Sequence, residues 1–150
     1  MTYYLHAYLE MKVNGKWIMA GKVPFNYFHD DLMEKMAGVS KKPQGITPIC
    51  KPKGLPANIS ESVLVFNNHN KPYNFNASWF NFKEMQELVT WCESQPPDCV
   101  YWGEDSKGEE RDDDSPFDIS ICGNPAMHWE PGANGYPKDI QDLRMVFWFD

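Results

Sequence analysis

Apolar and polar residues alternate at the start of the chain, on both sides of Asn14-Gly15. Asn-Gly between two apolar stretches favours a type I′ turn, because both central residues need positive φ, so the pattern predicts a hairpin. The expected cross-strand pairs are Val13 with Lys16, Met11 with Ile18 and Leu9 with Ala20. One face is then apolar and suited to a core: Leu5, Ala7, Leu9, Met11, Val13, Ile18 and Ala20. The other face mixes aromatic and titratable groups: Tyr4, His6, Tyr8, Glu10 and Lys12, with Trp17 and Met19 across the pair.

A first helix is predicted over residues 26–39, where apolar side chains recur at helical spacing. Asn26 is the expected N-cap, and Asp30 and Asp31 suit the positive start of a helix. Gly38 supplies the stop.

A second helix is predicted to begin after Asn81, because Glu84 follows three positions later as in a capping box. Its expected end is the proline pair at 96–97. The apolar run 62–66 fits a short strand, or a helical turn if Ser60 caps it.

The remaining segments complete an α+β prediction. Residues 40–59 hold four prolines and two glycines and form the most basic stretch, which indicates an irregular loop, as does the Asn-rich run up to Asn76. Short strands are expected at 99–102 and 117–121, and a strand buried on both faces at 143–149. We therefore expect one domain over 1–150, an antiparallel sheet with two helices packed on one face and long irregular loops.

Charge is unevenly distributed along the 150 residues. The net charge of −7 argues against bulk nucleic acid and anionic membranes as partners. However, the chain up to Lys83 has ten lysines against five acidic residues, a net +5, and the remainder carries −12. A small anionic ligand is therefore still compatible with the first part.

Several classes of protein lose support from the motifs. The chain has no apolar run near the roughly 18 residues of a membrane span and no secretion signal at its start, which predicts a soluble cytoplasmic protein. The four cysteines lack metal-ligand spacing and are expected to be free thiols, with no metal or cofactor. The acidic run at 112–114 lacks the ligand spacing of an EF-hand and fits a solvated loop. Phosphate-binding glycine loops, nucleophile elbows and zinc-protease motifs do not occur.

The polar face of the hairpin is the strongest candidate site. His6 and Glu10 lie about 13 Å apart along one strand, too far to form a dyad by themselves. Placing the last strand beside the first would add Arg144, Trp148 and Asp150 to this face. Such a surface suits a base held between aromatic rings and a phosphate on Arg or Lys. The same pattern also fits a second sheet face that the long loop covers.

Scattered motifs resemble those of a family of small, largely uncharacterised proteins from bacteriophages and their bacterial hosts. The matching pieces are His6-Ala7-Tyr8-Leu9-Glu10, Gly15-Lys16-Trp17, Asn26-Tyr27, Ala37-Gly38-Val39, Pro48-Ile49, Lys51-Pro52-Lys53-Gly54-Leu55-Pro56, Ser78-Trp79-Phe80 and Phe147-Trp148-Phe149-Asp150. The chain departs from the family's pattern before His6, where an acidic residue is usual, before Asn26, where an Arg is usual, and at Lys53, which replaces an Arg. The resemblance implies a phage-type accessory protein acting in the host cytoplasm, and it names no reaction.

The leading hypothesis is a counter-defence protein that sequesters a small nucleotide-derived ligand, such as a host signalling molecule. The candidate ligand-binding residues are His6, Tyr8, Glu10, Trp17, Asn26, Tyr27, Lys51, Lys53, Ser78, Trp79, Arg144 and Trp148. Trp17, Tyr8 or Trp148 would stack a base, Lys51, Lys53 or Arg144 would meet phosphate, and His6 and Glu10 would bind ribose or base edges.

Two alternatives stay open. One is a hydrolase of a phosphodiester or glycosidic bond, with His6 or His128 as general base and Glu10 or Asp150 as its partner. The other is an acidic, DNA-mimic-like inhibitor of a basic host protein, which would use the acidic second part of the chain. Oligomeric state is also open, a homo-oligomer included.

Overall fold

The computed structural model describes residues 3–23, 25, 30–69, 71–96 and 140–150. In this part of the chain, four strands form an open antiparallel sheet with the order β2-β1-β4-β3. The strands are β1 (Leu5–Val13), β2 (Lys16–Lys22), β3 (Phe75–Asn81) and β4 (Ile140–Phe149). The α-helices are α1 (Asp30–Ala37), α2 (Glu61–His69) and α3 (Phe82–Glu93), and a short 3-10 helix covers Lys71–Tyr73. The predicted α+β class is confirmed, while the strands expected at 99–102 and 117–121 lie outside the described residues.

The predicted hairpin is confirmed, with one change of register. Asn14 and Gly15 have φ values of 52° and 75°, as a type I′ turn requires. The first two predicted cross-strand pairs form, but Leu9 pairs with Gly21 rather than Ala20. The physical reason is a β-bulge between Leu9 and Glu10, which leaves Ala20 as the extra residue. Ile18, expected in the core, is 36% exposed.

The last strand lies beside the first, in the arrangement that brings the polar positions of both strands to one face. In the β1–β4 ladder, Glu10 pairs with Arg144 and His6 with Trp148. Residues 143–149 of β4 are all buried, as expected for a strand covered on both faces.

Local capping signals place the two predicted helices. At α3, Glu84 N donates to Asn81 Oδ1 at 2.9 Å and Asn81 N donates to Glu84 Oε1 at 3.1 Å, so the predicted capping box is confirmed. The helix ends at Glu93, before the proline pair. At α1, Gly38 adopts φ +71° directly after the last turn and donates to Glu34 O. The predicted cap Asn26 lies outside the described residues.

Two segments differ from the leading expectation. Residues 62–66 belong to helix α2 rather than to a strand, and Ser60 Oγ accepts from Val63 N at 3.4 Å, which confirms the alternative of a Ser60-capped helix. Strand β3 begins at Phe75, within the run predicted as loop, and continues to Asn81. Asn, Ala and Ser are weak strand formers, so pairing with the apolar β4 rather than local propensity determines this strand.

The sheet is packed on both faces. The main core joins the apolar face of the hairpin to side chains of α1 and α3, such as Leu32 and Leu88. On the opposite face, Tyr8, Val146 and Trp148 pack with Val63 of α2. Two helices therefore share one face as predicted, and α2 adds cover to the other. None of the described helices is both long and apolar enough to cross a membrane.

Candidate functional site

An ion pair between Glu10 and Arg144 lies at the centre of the second sheet face. Because the two residues are cross-strand partners, their side chains meet, with 2.7 Å between Arg144 Nε and Glu10 Oε1. The Glu10 side chain is 0% exposed and the Arg144 side chain 5%. The other carboxylate oxygen of Glu10 accepts from Ser60 N at 2.7 Å. The pair thus joins the sheet to the residue that caps α2.

Asn58, in the irregular loop at residues 40–59, binds the outer side of the Arg144 guanidinium. Nη1 donates to Asn58 Oδ1 at 2.8 Å, and Nη2 donates to Asn58 O at 3.2 Å. Asn58 itself is exposed. A neutral surface residue therefore caps the two terminal nitrogens of this cation.

Two tryptophans and a lysine lie next to the Glu10–Arg144 ion pair across the sheet. The guanidinium carbon of Arg144 lies 3.9 Å from the ring centroid of Trp17 on β2 and 5.9 Å from that of Trp79 on β3. Lys53 Nζ lies 4.1 Å from the Trp79 centroid. We call Trp17, Arg144, Trp79 and Lys53 the cation–aromatic array. Its spacing is that of cation–π contacts, which orient a cation over a ring face.

The basic loop is pinned to strand β3 next to this array. Lys53 N donates to Ser78 Oγ at 3.1 Å, and Gly54 N donates to Ala77 O at 2.9 Å. Lys53 Nζ also pairs with the carboxylate of Glu84. Burial raises the pKa of Glu84, but the hydrogen bonds that it accepts, led by that of Lys53, outweigh this and lower the pKa below its ordinary value.

Two cysteines lie in the described residues, and both are free thiols as predicted. Burial raises the pKa of Cys50 to about 11, with help from its hydrogen bond to Glu84. Burial likewise raises the pKa of the Cys92 thiol. Neither is a nucleophile near neutral pH, because the reactive species is the thiolate.

Four rings form a continuous stack toward the other end of the same face. His6 lies over Trp148 with 5.8 Å between centroids, Trp148 over Tyr8 with 5.4 Å, and Tyr8 over Phe66 of α2 with 4.9 Å. The interplanar angles are 20°, 21° and 12°. Tyr8 and Trp148 are buried, so their ring faces stabilise the packing of α2 on the sheet.

His6 also contacts the last residue of the sequence. Its Nε2 lies 3.0 Å from Asp150 Oδ2, and the side chains of His6 and Asp150 are 27% and 15% exposed. The ladder brings them together, since Tyr4 and Asp150 exchange backbone hydrogen bonds at its end. A partly exposed imidazole beside a carboxylate has the geometry of a general base and its orienting partner.

Eight of the twelve predicted site residues form two groups on the second sheet face, and Ser78 lies at the alternate position of β3, opposite Phe147. Glu10, Trp17, Lys53, Trp79 and Arg144 gather around the guanidinium, with Ser78 holding the loop next to them, and His6, Tyr8 and Trp148 form the ring stack. Lys51 is exposed on the loop. Asn26 and Tyr27 lie outside the described residues.

Sequence reasoning missed the contribution of Asn58. It lies 86 positions before Arg144, and no local pattern marks a contact over that separation. Phe66 is absent from the predicted site because the apolar run 62–66 favours a strand, and only as part of helix α2 does its ring reach Tyr8.

An open groove of about 530 Å³ lies on the opposite side of the molecule, between α1 and α3. Its lining includes Lys35, Lys83, Glu87 and Trp91, none of them predicted site residues. Within the described ranges, no group of three or more His, Cys, Asp or Glu side chains is placed to hold a metal ion.

Comparison with known proteins identifies no relative of this chain. No protein-family model, no curated protein and no solved structure matches it. The resemblance to small phage proteins therefore stays a prediction.

Proposed function

We propose that this protein binds a small ligand that combines a phosphate group with a planar ring, as a nucleotide does, and that it does so without chemical turnover. The observation that carries the proposal is the cation–aromatic array, in which Arg144 lies 3.9 Å from the Trp17 ring and Lys53 lies 4.1 Å from the Trp79 ring. Two cations alternate here with two indoles on one sheet face.

The chemistry of these side chains supports the ligand class. A guanidinium offers paired N–H donors that match two phosphate oxygens. Stacking of a base on an aromatic side chain is worth about 1–3 kcal/mol, and an indole gives a large, rigid surface for it. Lys51 lies exposed on the loop that carries Lys53 and adds a second cation there. The chain up to Lys83, which contributes Lys51 and Lys53, carries a net charge of +5, which favours an anionic ligand over a cationic one.

The resemblance to small phage proteins extends the proposal to a biological role. A phage-type accessory protein in the host cytoplasm would lower the free concentration of a host signalling nucleotide by binding it. Such sequestration needs no nucleophile and no metal.

Isothermal titration calorimetry against a panel of linear and cyclic nucleotides tests this proposal. We expect a saturable heat for at least one nucleotide, and roughly tenfold weaker binding by Lys53→Gln, because one charge-assisted contact is lost. The matched control is Lys83→Gln, an exposed lysine that lines the groove between α1 and α3. Absent heats across the panel, with an intact fold by circular dichroism, would overturn the proposal.

A second candidate is a hydrolase of phosphodiester or glycosidic bonds. It is favoured by the 3.0 Å contact between His6 Nε2 and Asp150 Oδ2. The two functions differ in what is recovered after incubation: a binder returns intact nucleotide on denaturation, and a hydrolase returns product. If His6→Asn abolishes product formation and leaves nucleotide affinity unchanged, the hydrolase is supported.

A further inference from the structure

The contact between Asn58 and Arg144 has the form of a ligand contact made by the protein's own loop. The two terminal nitrogens of the guanidinium donate to two oxygens of one residue, Asn58 Oδ1 and Asn58 O. A phosphate group or a carboxylate presents two oxygens to arginine in the same paired manner. Nε is used separately, by Glu10. The outward edge of Arg144 is therefore complete only with Asn58 in place.

Asn58 is neutral and exposed, although the Arg144 guanidinium that it covers is buried. A hydrogen bond from a guanidinium to an amide oxygen is charge-assisted on the donor side only, whereas an anionic oxygen adds a direct Coulomb attraction to the cation. An anion able to reach Arg144 therefore has an energetic advantage over Asn58.

Only the short segment 55–59 must move for an anion to reach Arg144. On one side, Gly54 N is bound to Ala77 O at 2.9 Å, and on the other Ser60 N is bound to Glu10 Oε2 at 2.7 Å. Between these anchors, Asn58 is exposed, Leu55 and Ile59 are half-buried and Pro56 is buried. Gly54 has φ +80°, a conformation that favours glycine, and it stands at the start of this segment.

We propose that residues 55–59 are a displaceable strap, in which Asn58 occupies the position on Arg144 that a ligand phosphate takes. This inference rests on the proposed function and specifies its regulation: the site is closed without ligand, and the ligand phosphate exchanges with Asn58. The neighbouring Trp17 and Trp79 rings and the Lys53 ammonium then flank the bound anion. Glu10 keeps its bond to Nε and holds the guanidinium in place throughout.

Two substitutions of Asn58 have opposite expected effects, which distinguishes a displaceable contact from a merely structural one. Asn58→Ala removes the Oδ1 half of the competing contact and keeps only the backbone oxygen that accepts from Nη2, so it is expected to bind inorganic pyrophosphate roughly tenfold more tightly than the unaltered protein. Asn58→Asp places a fixed carboxylate on Arg144 and is expected to bind it roughly tenfold more weakly, with a raised Tm. The matched controls are Asn68→Ala and Asn68→Asp, on an exposed asparagine of α2, with pyrophosphate affinity within twofold of the unaltered protein.

The probe for this experiment is inorganic pyrophosphate, titrated calorimetrically, because it isolates the phosphate contact from base stacking. Equal affinities for both Asn58 variants, weaker binding by Asn58→Ala, or no pyrophosphate binding by any variant would each overturn the inference. The nucleotide panel separates the two claims: if nucleotides bind and the Asn58 variants do not differ, the strap is wrong and the proposed function stands. If neither pyrophosphate nor any nucleotide binds, both are wrong.

Discussion

Glu10 and Arg144 face each other across β1 and β4 and form an almost fully buried ion pair, with 2.7 Å between Glu10 Oε1 and Arg144 Nε. A buried pair of this kind is costly to break, because either charge left alone in the interior loses its solvation without compensation. The same pair also holds Ser60 at the start of α2 and Asn58 in the loop. The pair therefore couples the sheet to the segment that closes the candidate site.

We expect Glu10→Gln to destabilise the protein by about 3 kcal/mol, because it leaves the buried Arg144 without its carboxylate. Urea unfolding followed by circular dichroism measures the change. The control is Glu61→Gln, an exposed carboxylate in the first turn of α2, with an expected change below about 0.5 kcal/mol. Equal stability of the two variants would contradict the role assigned to the pair.

The double variant Glu10→Leu/Arg144→Met is expected to recover most of the stability lost by Glu10→Gln. Apolar replacement of both partners removes the unpaired charge, and such replacements are often neutral or stabilising. It is expected to bind no pyrophosphate, since the guanidinium is gone. A double variant as unstable as Glu10→Gln would show that the loss came from packing rather than from an unpaired charge.

Glu84 is expected to make stability depend on acid pH. Its pKa is lowered in the folded protein from the ordinary value of 4.5. The ionised Glu84 side chain therefore contributes fully to the free energy of unfolding above pH 4.5, and this contribution is lost as the pH falls through the lower pKa of the folded state. The free energy of unfolding of the unaltered protein should exceed that of Glu84→Gln at pH 7, and the difference should shrink below pH 4.5. Glu87→Gln, on the exposed side of the same helix, serves as the control. If the difference in free energy of unfolding between the unaltered protein and Glu84→Gln stays constant down to pH 3, the prediction for Glu84 is wrong.

Cys50 is expected to react slowly with iodoacetamide. With a pKa of about 11, its thiolate fraction at pH 8 is more than tenfold below that of an ordinary cysteine. Glu84→Gln is expected to speed the reaction, because Glu84 both accepts a hydrogen bond from the thiol and repels the thiolate. Peptide mass spectrometry resolves the rate at Cys50 from the others. A Cys50 rate equal to that of a free thiol peptide would contradict this environment.

The local parts of the fold were predictable from the sequence, and the long-range parts were not. Asn14-Gly15 and the Asn81/Glu84 pair determine their own neighbourhood, so the hairpin and the start of α3 follow from a few adjacent residues. Strand β3 forms through its pairing with β4, against weak propensity, and no local pattern predicts it.

The candidate site likewise has a part that local sequence patterns predict and a part that they do not. Period-two alternation placed Glu10 and Trp17 on one face, and the assumption that the last strand lies beside the first added Arg144. That Asn58 covers Arg144, and that helix α2 packs on this face, depends on how the loop folds back over the sheet. Alternation along a strand says which face a residue occupies and nothing about what covers that face.

The central claim is that nucleotide binds at the cation–aromatic array, and a nuclear magnetic resonance titration tests it most directly. The indole N–H resonances of Trp17, Trp79 and Trp91 are assigned with single Trp→Phe variants and followed as nucleotide is added. Trp91, which lines the groove on the other side of the molecule, is the internal control. The account predicts saturable shifts of the Trp17 and Trp79 resonances with Trp91 unmoved. Shifts confined to Trp91, or no shift at nucleotide concentrations that saturate the calorimetric signal, would contradict it.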